Sequence, residues 1–181
     1  MFVETERLIL RKFREADFED YYEYAADREM NRMMGNADLT ERDDAWACFS
    51  WLKDREPRSY AIVLKENDRV IGNLNVCAVP DDLSALAETA GKKGATLSFC
   101  LSRHYRRRGL MEEAVRAVID VLFRAEGLDY IQCGHFDFNL PSEKFQEKLG
   151  FTPLTTCVIQ MEQMGDQELH TVESILWRTP D

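Results

Sequence analysis

The chain has 181 residues, the usual length of one domain, and 45% of them are hydrophobic, which is enough to build one sizeable core. Its formal net charge of −10 argues against nucleic acid as a partner and favours cationic partners such as amines. Because no stretch approaches the roughly 18 apolar residues that a membrane-spanning helix needs, we also expect no membrane partner. We therefore predict one domain over residues 1–181.

The five cysteines are scattered at wide intervals, with no CxxC pair and no histidine spaced to complete a zinc site. Buried, reduced thiols are the interpretation that fits this spacing. We therefore predict no metal and a reducing compartment, the cytoplasm.

The first half of the chain is predicted to begin with one strand and three helices. Apolar residues within residues 7–13 indicate the strand, and Asp17 opens a helix with apolar residues at helical spacing. A Met-rich helix over residues 28–34 ends at Gly35, and Thr40 precedes a third helix with an aromatic face.

Strands and helices are mixed in the rest of the chain. Polar and apolar residues alternate over residues 96–102, which indicates a strand, and from Gly109 the apolar period becomes helical until Gly127. The other predicted elements are a hairpin of strands at 60–64 and 70–79, a polar excursion at 80–94, a strand at 130–138, a short helix from Pro141 to Gly150, and strands at 153–160 and 169–178 around a turn at Gly165–Asp166. This mixture predicts an α+β fold with a mixed sheet.

Four arginines stand between residues 103 and 108, directly before the long predicted helix of an acidic chain. A helix start leaves backbone N–H groups unpaired and carries partial positive charge, so it stabilises an anion. Gly109 lets the backbone approach a phosphate closely or adopt a positive φ. The segment therefore predicts a diphosphate site, against the alternative of a solubilising basic turn. Neither GxxxxGK(S/T) nor GxGxxG occurs, which excludes a P-loop and a dinucleotide fingerprint.

Residues 106–111 resemble the pyrophosphate loop of the GNAT acyltransferase superfamily, (Q/R)xxGx(G/A), except that Met111 replaces the final small residue. The resemblance extends over nearly the whole chain. It points to the branch that contains the ribosomal-protein N-terminal (alanine) acetyltransferases, through segments that occur in the expected order at residues 5–11, 29–35, 71–74 and 139–151.

The resemblance implies a single-domain GNAT-like α+β fold, in which a mixed, mostly antiparallel sheet splays between its fourth and fifth strands and carries helices on both faces. It implies acetyl-CoA as cosubstrate, with the pantothenate arm paired to strand backbone in the splay. Asn139 would hydrogen-bond the same arm, or it could equally cap the helix beside Pro141. The residues implied in cofactor binding are Phe99, Cys100, Leu101, Arg106, Arg107, Arg108, Gly109, Leu110, Met111 and Asn139.

Acetyl transfer to an amine needs donors for the oxyanion, a proton for the leaving thiolate and a neutral amine. Where many relatives use a Tyr as the acid, this chain has Gln146, so the resemblance suggests Ser142 instead, with helix capping as an equal alternative. A Glu that is frequent in the fourth strand of this branch is replaced by Thr96. The predicted base is therefore His135, against a purely structural role for that histidine.

Two further candidates for the base are Asp137, which faces the same way as His135, and Glu88 in the polar excursion. Deprotonation through water, without a dedicated base, is the remaining alternative.

The predicted acceptor is a primary amine, either a protein N-terminal α-amine or a small amine or amino acid. The resemblance is compatible with a homodimer. The alternative function is a degenerate, noncatalytic acyl-CoA-binding module.

Overall fold

The computed structural model describes residues 2–54, 58–161 and 168–179. The chain divides into two compact units. The first unit holds the residues up to Asn75 together with Phe99–Ala117, and the second holds Val76–Ser98 together with the residues from Val118 onward. The predicted turn at Gly165–Asp166 lies outside the described residues.

The secondary structure of the described ranges mixes strands and helices along the whole chain. The strands are β1 (Val3–Glu4), β2 (Leu8–Arg11), β3 (Ser59–Leu64), β4 (Arg69–Cys77), β5 (Gly94–Leu101), β6 (Tyr130–Phe136), β7 (Thr152–Gln160) and β8 (Glu168–Trp177). The helices are α1 (Phe18–Ala25), α2 (Arg28–Met34), α3 (Arg42–Asp54), α4 (Asp81–Ser84), α5 (Leu110–Asp120) and α6 (Leu140–Leu149).

The first unit packs aromatic side chains of α1 and α3 into one core. Its strands β1, β2, β3 and β4 are antiparallel neighbours in that order. The rings of Phe13 and Phe49 lie 5.5 Å apart, and those of Phe18 and Phe49 lie 5.4 Å apart, both edge to face. Met30 belongs to the same buried cluster. Since burying a side chain of this size contributes about 1.5–3 kcal/mol, this core holds the first unit together.

The second unit is a sheet with the strand order β5-β6-β8-β7. The β5–β6 pair is parallel, and the β6–β8 and β8–β7 pairs are antiparallel. β6 pairs with β8 along its whole length, from Tyr130 to Phe136. The register of β6 is therefore set by its antiparallel neighbour.

The parallel pairing of β5 with β6 ends early. Residues 94–96 of β5 pair with residues 130–132 of β6, so Gly134 lies beyond this register, and it is exposed. This early end is the splay that the resemblance predicts between the fourth and fifth strands. Those strands are β5 and β6 here because β1, which is too short to show a periodicity, was not predicted.

The predicted α+β fold with a mixed, mostly antiparallel sheet is confirmed, and most element ends agree to within one or two residues. The helix predicted from Gly109 to Gly127 differs, since it is α-helical to Asp120 and continues as a π-helical turn over Val121–Ala125. A single domain over residues 1–181 stays a prediction. No helix in the described ranges is both long enough and apolar enough to cross a membrane.

Candidate active site

Residues 106–111, hereafter the 106–111 loop, form the turn that leads into α5. Arg107 and Gly109 both adopt left-handed backbone conformations, with φ angles of 63° and 74°. The amide of Glu113 donates to Gly109 O at 3.1 Å, whereas the amides of residues 107–111 have no hydrogen-bond acceptor among the described residues. Consecutive unbonded amides at a helix start form a binding site for an anion.

Arg7 and Glu113 hold the 106–111 loop in place. Arg7 Nη1 donates to Arg108 O at 3.0 Å and Arg7 Nε donates to Glu113 Oε2 at 2.6 Å. The Arg7 amide and the Thr5 hydroxyl both donate to Glu113 Oε1. Burial alone would raise the pKa of Glu113, but the hydrogen bonds from Thr5 and Arg7 outweigh it and lower that pKa. The left-handed conformation of Arg107 costs about 1–2 kcal/mol.

Two arginine side chains of the loop contact other protein groups. Arg106 Nε donates to Leu101 O at 3.3 Å. The guanidinium of Arg108 lies 5.7 Å from the centre of the Tyr105 ring and 3.7 Å from the Glu66 carboxylate. Binding of the cofactor by residues 106–111 stays a prediction, and we expect the backbone amides to contribute most of it.

Phe99, Cys100 and Leu101 form the C-terminal end of β5, and their predicted role in cofactor binding stays a prediction. The Cys100 thiol donates to Asn73 Oδ1 at 2.9 Å. Burial raises the pKa of Cys100 to about 12. A thiol with this pKa stays protonated at neutral pH, so Cys100 is unsuited to act as an acetylated nucleophile.

Gln146 of α6 joins His135 and Ser142, the two side chains that the sequence analysis proposes for proton transfer; these three residues are hereafter the Gln146 cluster. Gln146 Oε1 lies 3.3 Å from His135 Nδ1. Gln146 Nε2 lies 3.1 Å from Ser142 Oγ and 3.4 Å from Gly134 O. Gln146 is 1% exposed and His135 is 8% exposed, so water competes little for these bonds.

The carbonyl of Gly134 fixes the orientation of the Gln146 amide. Because a carbonyl oxygen only accepts, the Gln146 atom that faces Gly134 O must be the NH₂ group. Gln146 Oε1 then faces His135, and His135 Nδ1 carries the proton that it donates. In a neutral imidazole with this tautomer, His135 Nε2 carries the lone pair. Ser142 Oγ accepts from Gln146, which leaves the Ser142 hydroxyl proton to be donated elsewhere.

Asn139 is the N-cap of α6. Its Oδ1 accepts from the backbone amide of Ser142 at 3.3 Å. The capping interpretation of Asn139 is therefore confirmed, and its bond to the pantothenate arm stays a prediction. The capping interpretation of Ser142 is wrong, because Ser142 lies inside the first turn of α6 and its hydroxyl contacts Gln146.

The other candidate bases lie outside the Gln146 cluster. Asp137 follows the end of β6 and is exposed, and Glu88 is exposed in the polar excursion. Thr96 Oγ1 is buried and has no hydrogen-bond partner among the described residues. The described residues of the chain contain no group of three or more His, Cys, Asp or Glu side chains that could hold a metal ion.

Two contributions to these sites were not predicted from the sequence. Gln146 was given no part in the chemistry because an amide cannot act as an acid, and Glu113 was given no role. The only indication for Glu113 was the Thr5–Arg7 segment, which belongs to the family resemblance and holds Glu113 in the structure. The role of Gln146 could not be found from spacing, because it links side chains of a strand and a helix.

Comparisons with known proteins identify the family of the chain. The family model described as the acetyltransferase (GNAT) domain matches residues 7–152. The uncharacterized N-acetyltransferase YnaD of Bacillus subtilis is 23% identical over 150 residues, which are 83% of this chain and 82% of YnaD.

Solved structures share the fold. A GNAT-family acetyltransferase from Bacillus anthracis superposes with a TM-score of 0.81 at 19% identity, over 98% of each chain. The ribosomal-protein-S5-alanine acetyltransferase from Vibrio fischeri superposes with a TM-score of 0.70 at 16% identity, over 99% of this chain and 100% of that one. At these identities the likeness shows the fold alone.

The matched family model, and not the shared fold alone, defines the class as an acetyltransferase. With the family model matched over residues 7–152, the chain belongs to the GNAT acetyltransferase family. The predicted superfamily and the predicted enzyme class, an acetyl-CoA-dependent acetyltransferase, are therefore confirmed.

Proposed function

We propose that this protein transfers an acetyl group directly from acetyl-CoA to a primary amine, either a protein N-terminal α-amine or a small amine or amino acid. The 106–111 loop carries the proposal, because its unbonded amides suit the diphosphate of the cosubstrate. The net charge of −10 supports a cationic acceptor. The ribosomal-protein branch and the N-terminal α-amine are the finer parts of the proposal.

Two proton movements accompany the reaction. The amine nitrogen attacks the thioester carbonyl carbon, the C–N bond forms and the C–S bond breaks. The thiolate gains one proton and the nitrogen loses one. We assign the proton that the thiolate gains to the hydroxyl of Ser142, which Gln146 leaves free to donate. We assign the proton that the nitrogen loses to Nε2 of His135. Solvent then returns a proton to Ser142 and removes one from His135, so both residues return to their starting states.

Release of free thiol tests this function. The protein is mixed with acetyl-CoA and, in separate reactions, with an alanine-initiated tetrapeptide, a serine-initiated tetrapeptide and butylamine. Thiol release that depends on an amine, with the acetylated amine found by mass spectrometry, is the expected result. If acetyl-CoA binds but none of these amines releases thiol, the transfer function loses its support.

A noncatalytic acyl-CoA-binding module is the second candidate, and Gln146 in place of an acidic Tyr favours it. The two functions differ in one result. A module would bind acetyl-CoA in calorimetry and leave the rate of thiol release unchanged by any amine.

The compartment and the assembly of the protein are also proposals. All five cysteines are free thiols in the structure, which supports the cytoplasm as a reducing compartment. A homodimer is compatible with the family resemblance, and we propose it as the assembly. Light scattering at several protein concentrations tests it, and a constant monomer mass would contradict it.

A further inference from the structure

Glu173, on β8, occupies the side-chain space of Gly134 on β6. The two residues are register partners in the antiparallel pair. A Cβ atom at residue 134 would lie 2.6 Å from Glu173 Oε2 and 2.7 Å from Oε1, closer than real side chains approach. A glycine is therefore needed for the carboxylate to lie here, against the exposed main chain of Gly134.

The Glu173 carboxylate lies on the face of the β6–β8 pair opposite to the Gln146 cluster. Consecutive strand residues point to opposite faces. His135 points towards α6, where it contacts Gln146, so Gly134 and Glu173 lie on the other face. Glu173 is therefore separate from the side chains to which the proposed function assigns proton transfer.

Two more polar side chains lie on the same face as Glu173. Gln132 precedes Gly134 by two residues on β6, and Thr96 is its register partner on β5. Gln132 is 0% exposed. Its Oε1 and Nε2, and also Thr96 Oγ1, are buried without a hydrogen-bond partner among the described residues. Since buried polar atoms are nearly always hydrogen-bonded, these three atoms indicate that a water molecule or a polar atom of a ligand binds here.

The surroundings of Glu173 suit a cationic ligand. The groups that interact electrostatically with its carboxylate are the Thr171 hydroxyl, Asp82 and the Cys157 thiol and, from the opposite face of β6, His135 and the Cys133 thiol. Burial raises the pKa of Glu173, while the Thr171 hydroxyl and His135 oppose the rise and Asp82 adds to it. A half-buried carboxylate without a Lys or Arg partner among the described residues can pair with a cation from outside.

We propose that Glu173 is an acceptor-binding residue, whose carboxylate binds the ammonium group of the incoming primary amine at Gly134 and takes one proton from it. Gln132 and Thr96 supply hydrogen-bond partners for a water molecule or an acceptor atom beside it. The inference rests on the proposed function and names the residue that recognises the amine.

The proton balance of this step is complete. The ammonium ion gives one proton to Glu173 and becomes the neutral amine that attacks the thioester. After the attack the nitrogen loses its second proton to His135 through water, since His135 lies on the opposite face from Glu173, and the thiolate receives one proton from Ser142. Glu173 then releases its proton to solvent, so each ammonium ion that is acetylated yields one thiol and one free proton.

The substitution Glu173→Gln tests the proposal, with Glu168→Gln as the matched control. Gln keeps the shape of Glu173 and removes a charge that burial disfavours, so the variant should fold. Glu168 lies at the exposed start of the same strand. The measurements are kcat/KM for an alanine-initiated tetrapeptide and for butylamine across a range of pH, and the acetyl-CoA affinity by calorimetry.

At neutral pH, Glu173→Gln should lower kcat/KM for both amines by about 100-fold and leave the acetyl-CoA affinity unchanged. The loss should shrink at high pH, where the amine is already neutral, and Glu168→Gln should behave as the wild type. Gly134→Ala, which displaces the carboxylate, should act in the same direction as Glu173→Gln.

Three results would overturn the proposal. Wild-type kcat/KM in Glu173→Gln would show that the carboxylate has no role in acetyl transfer. A loss that is equal at all pH values would indicate a structural role. A wild-type protein that binds acetyl-CoA but acetylates none of the amines would contradict the proposed function itself, and the role of Glu173 with it.

Discussion

The 106–111 loop and the Gln146 cluster are built in opposite ways. The loop presents backbone amides that are neighbours in the chain, with arginine side chains that contact other protein groups. The cluster presents side chains of a strand and a helix, held together by one buried amide. The first should therefore tolerate changes of side chain as long as its backbone conformation is kept, whereas the second should tolerate few.

Gly109→Glu should have the largest effect in the loop. It places bulk and negative charge in the proposed diphosphate site, at a φ of 74° that side chains rarely adopt. We expect the acetyl-CoA affinity to fall by more than about 100-fold, measured by calorimetry. Gly91→Glu is the control, since Gly91 has the same φ with nothing within 4 Å, and it should bind as the wild type. Retained affinity in Gly109→Glu would refute the assignment of the loop.

Gln146→Leu should have the largest effect in the cluster. It removes the partner of His135 and of Ser142 and the bond from Gln146 Nε2 to Gly134 O. We expect kcat to fall by about 10- to 100-fold and the free energy of unfolding to fall by about 1–3 kcal/mol, with the acetyl-CoA affinity unchanged. Steady-state kinetics and denaturant unfolding measure these. A wild-type kcat would mean that the cluster has no part in proton transfer.

Glu113→Gln should have a smaller effect, on stability. Since the pKa of Glu113 is lowered from 4.5 in the fold, its contribution is present above pH 4.5 and is lost as the pH falls through the lowered value. At neutral pH we expect the free energy of unfolding to fall by about 1–2 kcal/mol, and we expect this loss to disappear in acid. Thermal unfolding at a series of pH values measures it.

Glu112→Gln is the control for Glu113→Gln. Glu112 forms an i,i+4 pair with Arg116, and such a helix-surface pair contributes about 0.3–0.5 kcal/mol. Equal losses of unfolding free energy in the two variants would show that the Arg7–Glu113 contact contributes no more to stability than an ordinary helix-surface pair.

Arg107→Gly should have the smallest effect, and it should be favourable. Glycine adopts the φ of 63° at Arg107 without strain, so we expect a gain of up to about 1 kcal/mol in the free energy of unfolding. Arg106→Gly, at a φ of −66°, should lose stability instead. Acetyl-CoA should bind to both variants, and a large loss of affinity in Arg107→Gly would assign the binding to the arginine side chain.

The loop could be predicted from sequence because its parts are local. Basic residues, one glycine and the start of a helical period stand within a few positions, so spacing alone indicates where amides are left unpaired. The order of strands and helices was predictable for the same reason.

The chemistry of the second unit could be predicted only in part. His135 and Ser142 were singled out, but their link through Gln146 depends on the packing of α6 against β6. Glu173 was missed, because nothing in its local sequence shows that it faces a glycine on β6. The register of the antiparallel strands brings the two together, and a register of this kind is set by tertiary structure.

Calorimetry of the wild-type protein with acetyl-CoA and with S-acetylpantetheine, which lacks the diphosphate, tests the central claim most directly. If the amides of the 106–111 loop bind the diphosphate, acetyl-CoA should bind more tightly by about 100-fold or more, and Gly109→Glu should abolish the difference. Equal affinities of the wild type for the two compounds would contradict the account.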